Sequence, residues 1–327
     1  MSEESIKYCK SILNKVSRSF ALTIPMLDDA LYNSVLITYL QDRLLDNFED
    51  EISDEDIGLE ERKKMMDKVV SLFNPGADNI EKIAGEIADY ANFMPDKSLQ
   101  TLTKNVLILR QAYDSLEDIV KEFSYKWLKE MNMGMKKYLT HKVKTFIDLD
   151  EYCYYVAGTV GGFLTDLIIY YSSISLDQSE ILLANYNASG LFLQKVNLVR
   201  DIKRDIENRE KHYWPLTSLE ISIDKLMDEK NKEKGMNVLA TMLDDVRSHI
   251  PNLVNYYHTI PDEMKGYRKF YSVNNALGLA TIEMMEDNED VLYGKKPVKV
   301  PKLTFLDIMK NPEKAFLEKA DESMYSS

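Results

Sequence analysis

The stretch Tyr39-Leu40-Gln41-Asp42-Arg43-Leu44-Leu45-Asp46-Asn47-Phe48-Glu49-Asp50 decides how this chain reads. It ends a predicted helix over Asp28–Glu49, where Leu31, Val35 and Tyr39 recur at helical spacing. Asp46 and Asp50 are four residues apart, so their carboxylates share one face, with Glu49 and Asp42 alongside. Like charges at that spacing destabilise a helix, and here they stand beside Leu44, Leu45 and Phe48. A hard divalent cation supplies the compensation, because Mg²⁺ is usually held by one or two carboxylates plus substrate phosphates. The plainer reading is a solvated acidic helix end running into the acidic loop Glu49–Glu61.

Outward from this stretch the helical period persists. It predicts further helices over 4–24, 60–73, 78–93, 97–140, 148–173, 178–208, 216–230, 234–259 and 262–287. No alternating segment competes, and 12 Gly and 9 Pro among 327 residues argue against a turn-rich all-β chain. Tyr293–Ser327, with Pro297, Pro301 and Pro312, reads as a strap or lid closed by a short helix. No Ser-, Gly- or Pro-rich linker interrupts the series, so the expectation is one all-α domain over residues 1–327.

The bulk composition narrows the partners. With 41 basic and 54 acidic side chains the formal charge is −13, which gives no general attraction for nucleic acid. Cys9 and Cys153 are far apart and form no metal-spaced pair, consistent with a reducing, cytoplasmic compartment. The start MSEESIKYCK lacks the pattern of a secretory signal, and the polar end EKAFLEKADESMYSS carries no anchor. Tyr154–Tyr171 is apolar enough to be weighed as a membrane span. It holds Asp166, two threonines and three glycines, which favours a buried core helix.

A second acidic pair lies in Lys195-Val196-Asn197-Leu198-Val199-Arg200-Asp201-Ile202-Lys203-Arg204-Asp205. Asn197, Asp201 and Asp205 form one stripe on an apolar helix that also carries Gln194 and Lys195. On a largely buried helix such a stripe is costly unless paired or metal-bound. Salt bridges to Arg200, Lys203 and Arg204 account for the charges but not for an amide buried at Asn197. Two such helices facing each other could hold metal ions and a diphosphate between them, with Arg18, Arg43 and Arg200 as candidate cations nearby.

Five ordered blocks carry a resemblance that covers nearly the whole chain. Ser17-Arg18-Ser19-Phe20-Ala21 resembles an S-R-S-F-A block, and Tyr39 to Asp50 resembles Y-L-x-x-R-x-x-D-x-x-E-D. Tyr152 to Gly161 resembles Y-C-x-Y-V-A-G-x-V-G. Gly190 to Asp201 resembles G-L-F-L-Q-K-x-N-x-x-R-D, and Tyr213-Trp214-Pro215 stands where F-W-P is expected. Together they resemble the squalene/phytoene synthase family, and within it the squalene synthases. The resemblance implies an isoprenoid-synthase helical bundle with a central cavity between two Asp-bearing helices. It implies head-to-head condensation of two farnesyl diphosphates through presqualene diphosphate, then reduction to squalene by NADPH.

Carried onto this chain, the resemblance makes Asp46, Glu49, Asp50, Asp201 and Asp205 ligands of Mg²⁺, or of Mn²⁺ in its place. It makes Arg18, Ser19, Phe20, Tyr39, Arg43, Gln194, Asn197, Arg200 and Phe270 substrate-binding. Tyr155 resembles the tyrosine proposed to steer the cation or take its proton. Arg18, Arg43, Lys195, Asn197, Arg200, Lys299 and Lys302 would face the cofactor. The hydrocarbon product implies transient contact with a membrane surface. The chain departs from the pattern at Arg204, where an acid is usual, at Asn274 and Asn275, and at Pro301, which replaces an arginine in the stretch resembling V-K-I-R-K. Two other outcomes fit the same blocks: a dehydrosqualene or phytoene synthase that ends by proton loss without NADPH, and an inactive member acting as an assembly factor.

Overall fold

The computed structural model describes residues 2–209 and 212–325, and among them there is no strand. The chain divides into two compact units. The first runs up to Thr140 and includes Asp166–Tyr171; the second comprises His141–Thr165 and the described residues from Ser172 onward. The first holds α1 (Ser2–Val16), α2 (Phe20–Thr23), α3 (Asp29–Asp50), α4 (Asp54–Ile57), α5 (Leu59–Leu72), α6 (Ile80–Ala88), α7 (Lys97–Lys104), α8 (Val106–Asp114) and α9 (Asp118–Tyr138). The second holds α10 (Phe146–Cys153), a π-helical turn over Tyr154–Gly158, most of α11 (Thr159–Tyr171), α12 (Leu176–Asn185), α13 (Ala188–Arg200) and α14 (Ile202–Arg209). It continues with α15 (Ile223–Met227), α16 (Lys232–Arg247), α17 (Ile250–Thr259), α18 (Lys265–Met285), α19 (Lys302–Lys310) and α20 (Pro312–Tyr325).

Most predicted helices are present, and several are shorter than their period suggested. The 97–140 pattern is three helices, interrupted at Asn105 and again at Ser115–Glu117. At Asn105 the side-chain amide donates to Thr101 O (2.8 Å), a local bond that competes with continued helix. The 234–259 pattern breaks before Pro251, which sits in the first turn of α17, where its missing N–H costs nothing. The loop expected over Glu49–Glu61 contains α4, capped by Ser53 and Asp56, and the start of α5. The C-terminal strap carries two helices rather than one; its last residues, Ser326 and Ser327, lie outside the described residues.

The continuous helix Phe146–Tyr171 is long and apolar enough to cross a membrane, and 56% of its most apolar window is buried within the protein. Its last residues belong to the first unit. There Asp166 accepts from Trp127 Nε1 (2.7 Å) and Lys126 Nζ (3.1 Å), and Glu117 accepts from the Tyr170 and Tyr171 hydroxyls (3.1 and 2.5 Å). A boundary that falls inside a helix leaves no mark in composition, which is why no linker is visible in the sequence.

Candidate functional site

In the first unit, α3 positions the first acidic cluster. Leu31, Val35, Leu36, Leu40, Leu44, Leu45 and Phe48 are buried along it and fix its rotation. Asp46, Glu49 and Asp50 then each offer a carboxylate oxygen, and these oxygens lie within 4.8 Å of one another. Glu49 is 2% exposed, whereas Asp46 and Asp50 are half-buried. Arg43 pairs with Asp46 and reaches Glu51 at 3.5 Å. Burial opposes the Arg43 charge, but Asp46, Tyr39, Glu51 and Asp50 outweigh it and hold the guanidinium protonated. Asp42 is half-buried by area yet closely ringed by protein, and that burial, with Asp46 nearby, pushes its carboxyl up to about 8.

The S-R-S-F block meets α3 at Tyr39, about two turns before Asp46. Ser17 Oγ accepts from Phe20 N (3.1 Å) and also bonds the Tyr39 hydroxyl. The rings of Phe20 and Tyr39 lie 5.2 Å apart. Arg18 and Ser19 are exposed beside them. The structure therefore brings Phe20 of α2 against Tyr39 of α3, the helix that also carries Arg43 and the acidic triad.

Arg62 of α5 was not singled out from the sequence. Its buried guanidinium donates through Nε to Phe48 O (2.9 Å) and through Nη2 to Glu49 O, and it pairs with Asp54 at 2.7 Å. A cation on the last carbonyls of α3 offsets the negative end of the helix dipole just where three carboxylates add to it. Its two partners on α3 are backbone oxygens, so no residue pattern announced it.

In the second unit, the Y-V-A-G motif is the π-helical turn, with Tyr155 half-buried on it. Such single turns are frequent at functional sites. Thr159 Oγ1 donates to Tyr155 O (2.9 Å), covering a carbonyl of the irregular turn. The motif glycines are there for backbone contact. A Cβ on Gly190 would stand 2.4 Å from Ala157 O, and one on Gly161 would stand 2.0 Å from Tyr186 O. Only glycine lets α13 approach the turn this closely. Tyr152 stacks on Tyr213 of the fifth block, with ring centroids 4.0 Å apart.

The second acidic cluster departs from expectation in three ways. The helix breaks at Asp201, so Asp201 and Asp205 straddle the junction of α13 and α14, although Asp205 N still donates to Asp201 O (2.9 Å). Asn197 is exposed rather than buried, which removes the argument from a buried amide. Asp201, 6% exposed, accepts from Arg200 Nη2 (2.6 Å) and Nε (3.2 Å) and pairs with Arg204 at 3.1 Å. Arg204 also lies 3.8 Å from Asp205. Lys203 donates instead to the carbonyls of Tyr293 and Gly294.

Lys195 is also placed differently from its expected role. It is 1% exposed, and its Nζ lies 2.5 Å from Asp150 and 2.7 Å from Asp245. An ammonium matched by two carboxylates inside the unit does not present itself to a cofactor phosphate. It ties α13 to α10 and α16. Burial raises Asp245, opposed by Lys195, and burial pushes His249 beside them down to about 4. Gln194 and Arg200 are half-buried, Phe270 is buried against Tyr267, and Lys299 and Lys302 are exposed.

Compared with known proteins, the chain matches the squalene/phytoene synthase family over residues 13–304. The chain belongs to that family. It is 30% identical to squalene synthase 1 of Arabidopsis thaliana over 296 residues, covering 88% of this chain and 67% of that one. It is 31% identical to squalene synthase 8 of Panax ginseng, covering 90% and 71%. It is also 29% identical to a protein named inactive squalene synthase 2 of Arabidopsis thaliana, covering 89% and 67%. Among solved structures, TcSQS bound to the ligand BPH1237 superposes with a TM-score of 0.83 at 28% identity, covering 98% of this chain and 90% of that one. A dehydrosqualene synthase at 19% identity shares the fold, with a TM-score of 0.63. The all-α isoprenoid-synthase fold expected from the motifs is the fold observed. Membership makes the chain a prenyltransferase of isoprenoid biosynthesis that uses prenyl diphosphates.

Proposed function

We propose that this family member couples two farnesyl diphosphates head to head, through presqualene diphosphate, and reduces that intermediate to squalene with NADPH. The observation that carries the reading is the set Asp46, Glu49 and Asp50, with Arg43, on the last turns of α3. Three hard oxygen donors this close suit Mg²⁺, with Mn²⁺ as a substitute. Those three would hold it, with Asp201 and Asp205 as a second, more neutralised set. A divalent cation bound there supplies Lewis-acid stabilisation of a departing diphosphate.

The chain's own groups do the remaining work. Arg18, Arg43 and Arg200 offer planar donor forks that match phosphate oxygens. Gln194, Asn197 and Ser19 add neutral donors that orient the same group. The faces of Phe20 and Tyr39 stabilise nearby positive charge by roughly 1–2 kcal/mol each when desolvated, and Phe270 adds an apolar wall. Tyr155 holds a phenolic proton on an irregular turn, where it can steer a cation or receive a proton through Oη. Lys299 and Lys302 offer exposed ammonium groups to the phosphates of NADPH, whose nicotinamide supplies a hydride when bound.

One feature favours a second reading. Pro301, the residue preceding α19, stands where the motif has an arginine, which leaves one cation fewer for NADPH. On that reading the reaction ends by proton loss as a dehydrosqualene. Purified protein incubated with farnesyl diphosphate and Mg²⁺ should yield presqualene diphosphate without NADPH and squalene with it, resolved by chromatography and mass spectrometry. Dehydrosqualene under both conditions would select the second reading. No coupled product from farnesyl or geranylgeranyl diphosphate would overturn the coupling claim and leave an inactive assembly factor.

A further inference from the structure

Between Gly294 and Lys310 the chain reverses its electrostatic character. This segment holds Lys295, Lys296, Lys299, Lys302 and Lys310 against one acid, Asp307, in a protein of formal charge −13. All five lysines are exposed. On α19, Ile308 is buried and Phe305 and Met309 are half-buried, which fixes the opposite face outward. Helical geometry places Lys302, Leu306 and Lys310 in line on that face, with Leu303 beside them. Leu303 is 76% exposed and Leu306 is 49% exposed. The entry to the segment is anchored, since Lys203 Nζ donates to Tyr293 O (3.2 Å) and Gly294 O (2.8 Å). By contrast, α12 exposes Leu176 and Leu183 beside Asp177 and Glu180, a combination that an anionic surface would repel.

We propose that α19 and the lysine-bearing strap before it form a docking face for an anionic lipid surface. Lys295, Lys296 and Lys310 meet the headgroups while Leu303 and Leu306 enter the acyl boundary, the arrangement of interfacial amphipathic helices. A protein partner is disfavoured because stable interfaces need a broad, packed apolar centre, and two leucines ringed by lysines do not supply one. The face itself does not depend on the reaction. Its use, to hand a water-insoluble product to a bilayer, rests on the function proposed above.

Flotation of the full chain with phosphatidylcholine/phosphatidylglycerol vesicles, against phosphatidylcholine alone, tests this. Wild type should float with the anionic vesicles and release as salt is raised. The Lys295→Gln/Lys296→Gln/Lys310→Gln variant should bind about a hundredfold more weakly, at about fivefold per lysine. Leu303→Ser/Leu306→Ser should weaken binding by about tenfold or more even at low salt. None of these five residues serves the coupling or the cofactor, so turnover of detergent-dispersed substrate should stay at wild-type level and report folding. Equal flotation with both vesicle types, or a lysine variant that floats like wild type, would overturn the proposal. So would self-association or capture of an acidic protein through this face without vesicle binding. Flotation uses no substrate, so its failure leaves the proposed reaction standing, and an inactive chain that floats leaves the docking face standing.

Discussion

Asp46 and Asp50 close a 22-residue helix in the first unit, whereas Asp201 and Asp205 straddle the break between two short helices in the second. Both pairs have i, i+4 spacing, yet their electrostatic settings differ. Around the first, Arg62 spends its donors on two helix carbonyls and on Asp54, and Arg43 divides itself between Asp46 and Glu51. Around the second, Arg200 and Arg204 both meet Asp201, and Arg204 stands near Asp205. The second pair thus meets two arginines from its own helices, whereas the arginine at the first is shared between Asp46 and Glu51. Spacing selects which carboxylates share a face; the cations around them decide how much of that charge is left for a metal.

The largest effect should separate the clusters by turnover. Asp46→Asn/Asp50→Asn should lower product formation from farnesyl diphosphate by about a thousandfold or more, with the circular dichroism spectrum unchanged. Asp201→Asn/Asp205→Asn should also lower it, but leave measurably more residual activity; equal losses would erase the inequality. Next come the two buried cations that support these helices. Arg62→Met and Lys195→Met should each cost about 3 kcal/mol in urea titrations. For Lys195→Met the deficit should grow with pH. Burial raises the Asp245 carboxyl and Lys195 opposes that shift, so without the ammonium the folded state holds this proton more tightly, and the contribution is lost as pH rises through the raised folded-state value.

A smaller effect concerns Asp42. Its folded-state value is about 8 against an ordinary 3.8, so its contribution to stability is fully present below about pH 4 and is lost as pH rises through about 8. Asp42→Asn, measured in EDTA, should flatten that slope and stabilise the protein by about 2 kcal/mol at the alkaline end. The smallest test acts on the second cluster alone. Arg204→Glu exchanges the bridging cation for a third acid. It should lower Tm by about 2–4 °C in EDTA, with recovery on adding Mg²⁺, whereas wild type should respond less at this end.

The helices were legible because buried leucines and valines recur at 3.6 residues, and the acidic triad was legible because three carboxylates crowd one turn. What the period could not show was where hydrogen bonding changes. Asn105, Pro251 and the junction at Asp201 each interrupt a pattern whose apolar residues run on across the break. Burial of polar residues was the other blind spot. Asn197 and Lys195 lie two positions apart on one helix, yet the amide is exposed and the ammonium is buried, because Asp150 and Asp245 arrive from elements about 45 and 50 residues away. Arg62 was invisible for a simpler reason, since its partners at Phe48 and Glu49 are main-chain atoms.

The π turn at Tyr154–Gly158 has a further consequence, for phase. It holds one residue more than an α turn, so the helical faces before and after it are offset by about 100°. A single apolar stripe cannot pass through it, and the stretch on either side has to be apolar around more of its circumference to stay covered. Removing one residue from the turn would restore regular helix and swing Gly161 away from the Tyr186 carbonyl it has to approach. The motif therefore encodes a rotation as well as a set of side chains, and a one-residue deletion there should harm the protein more than substitution of any one of its side chains.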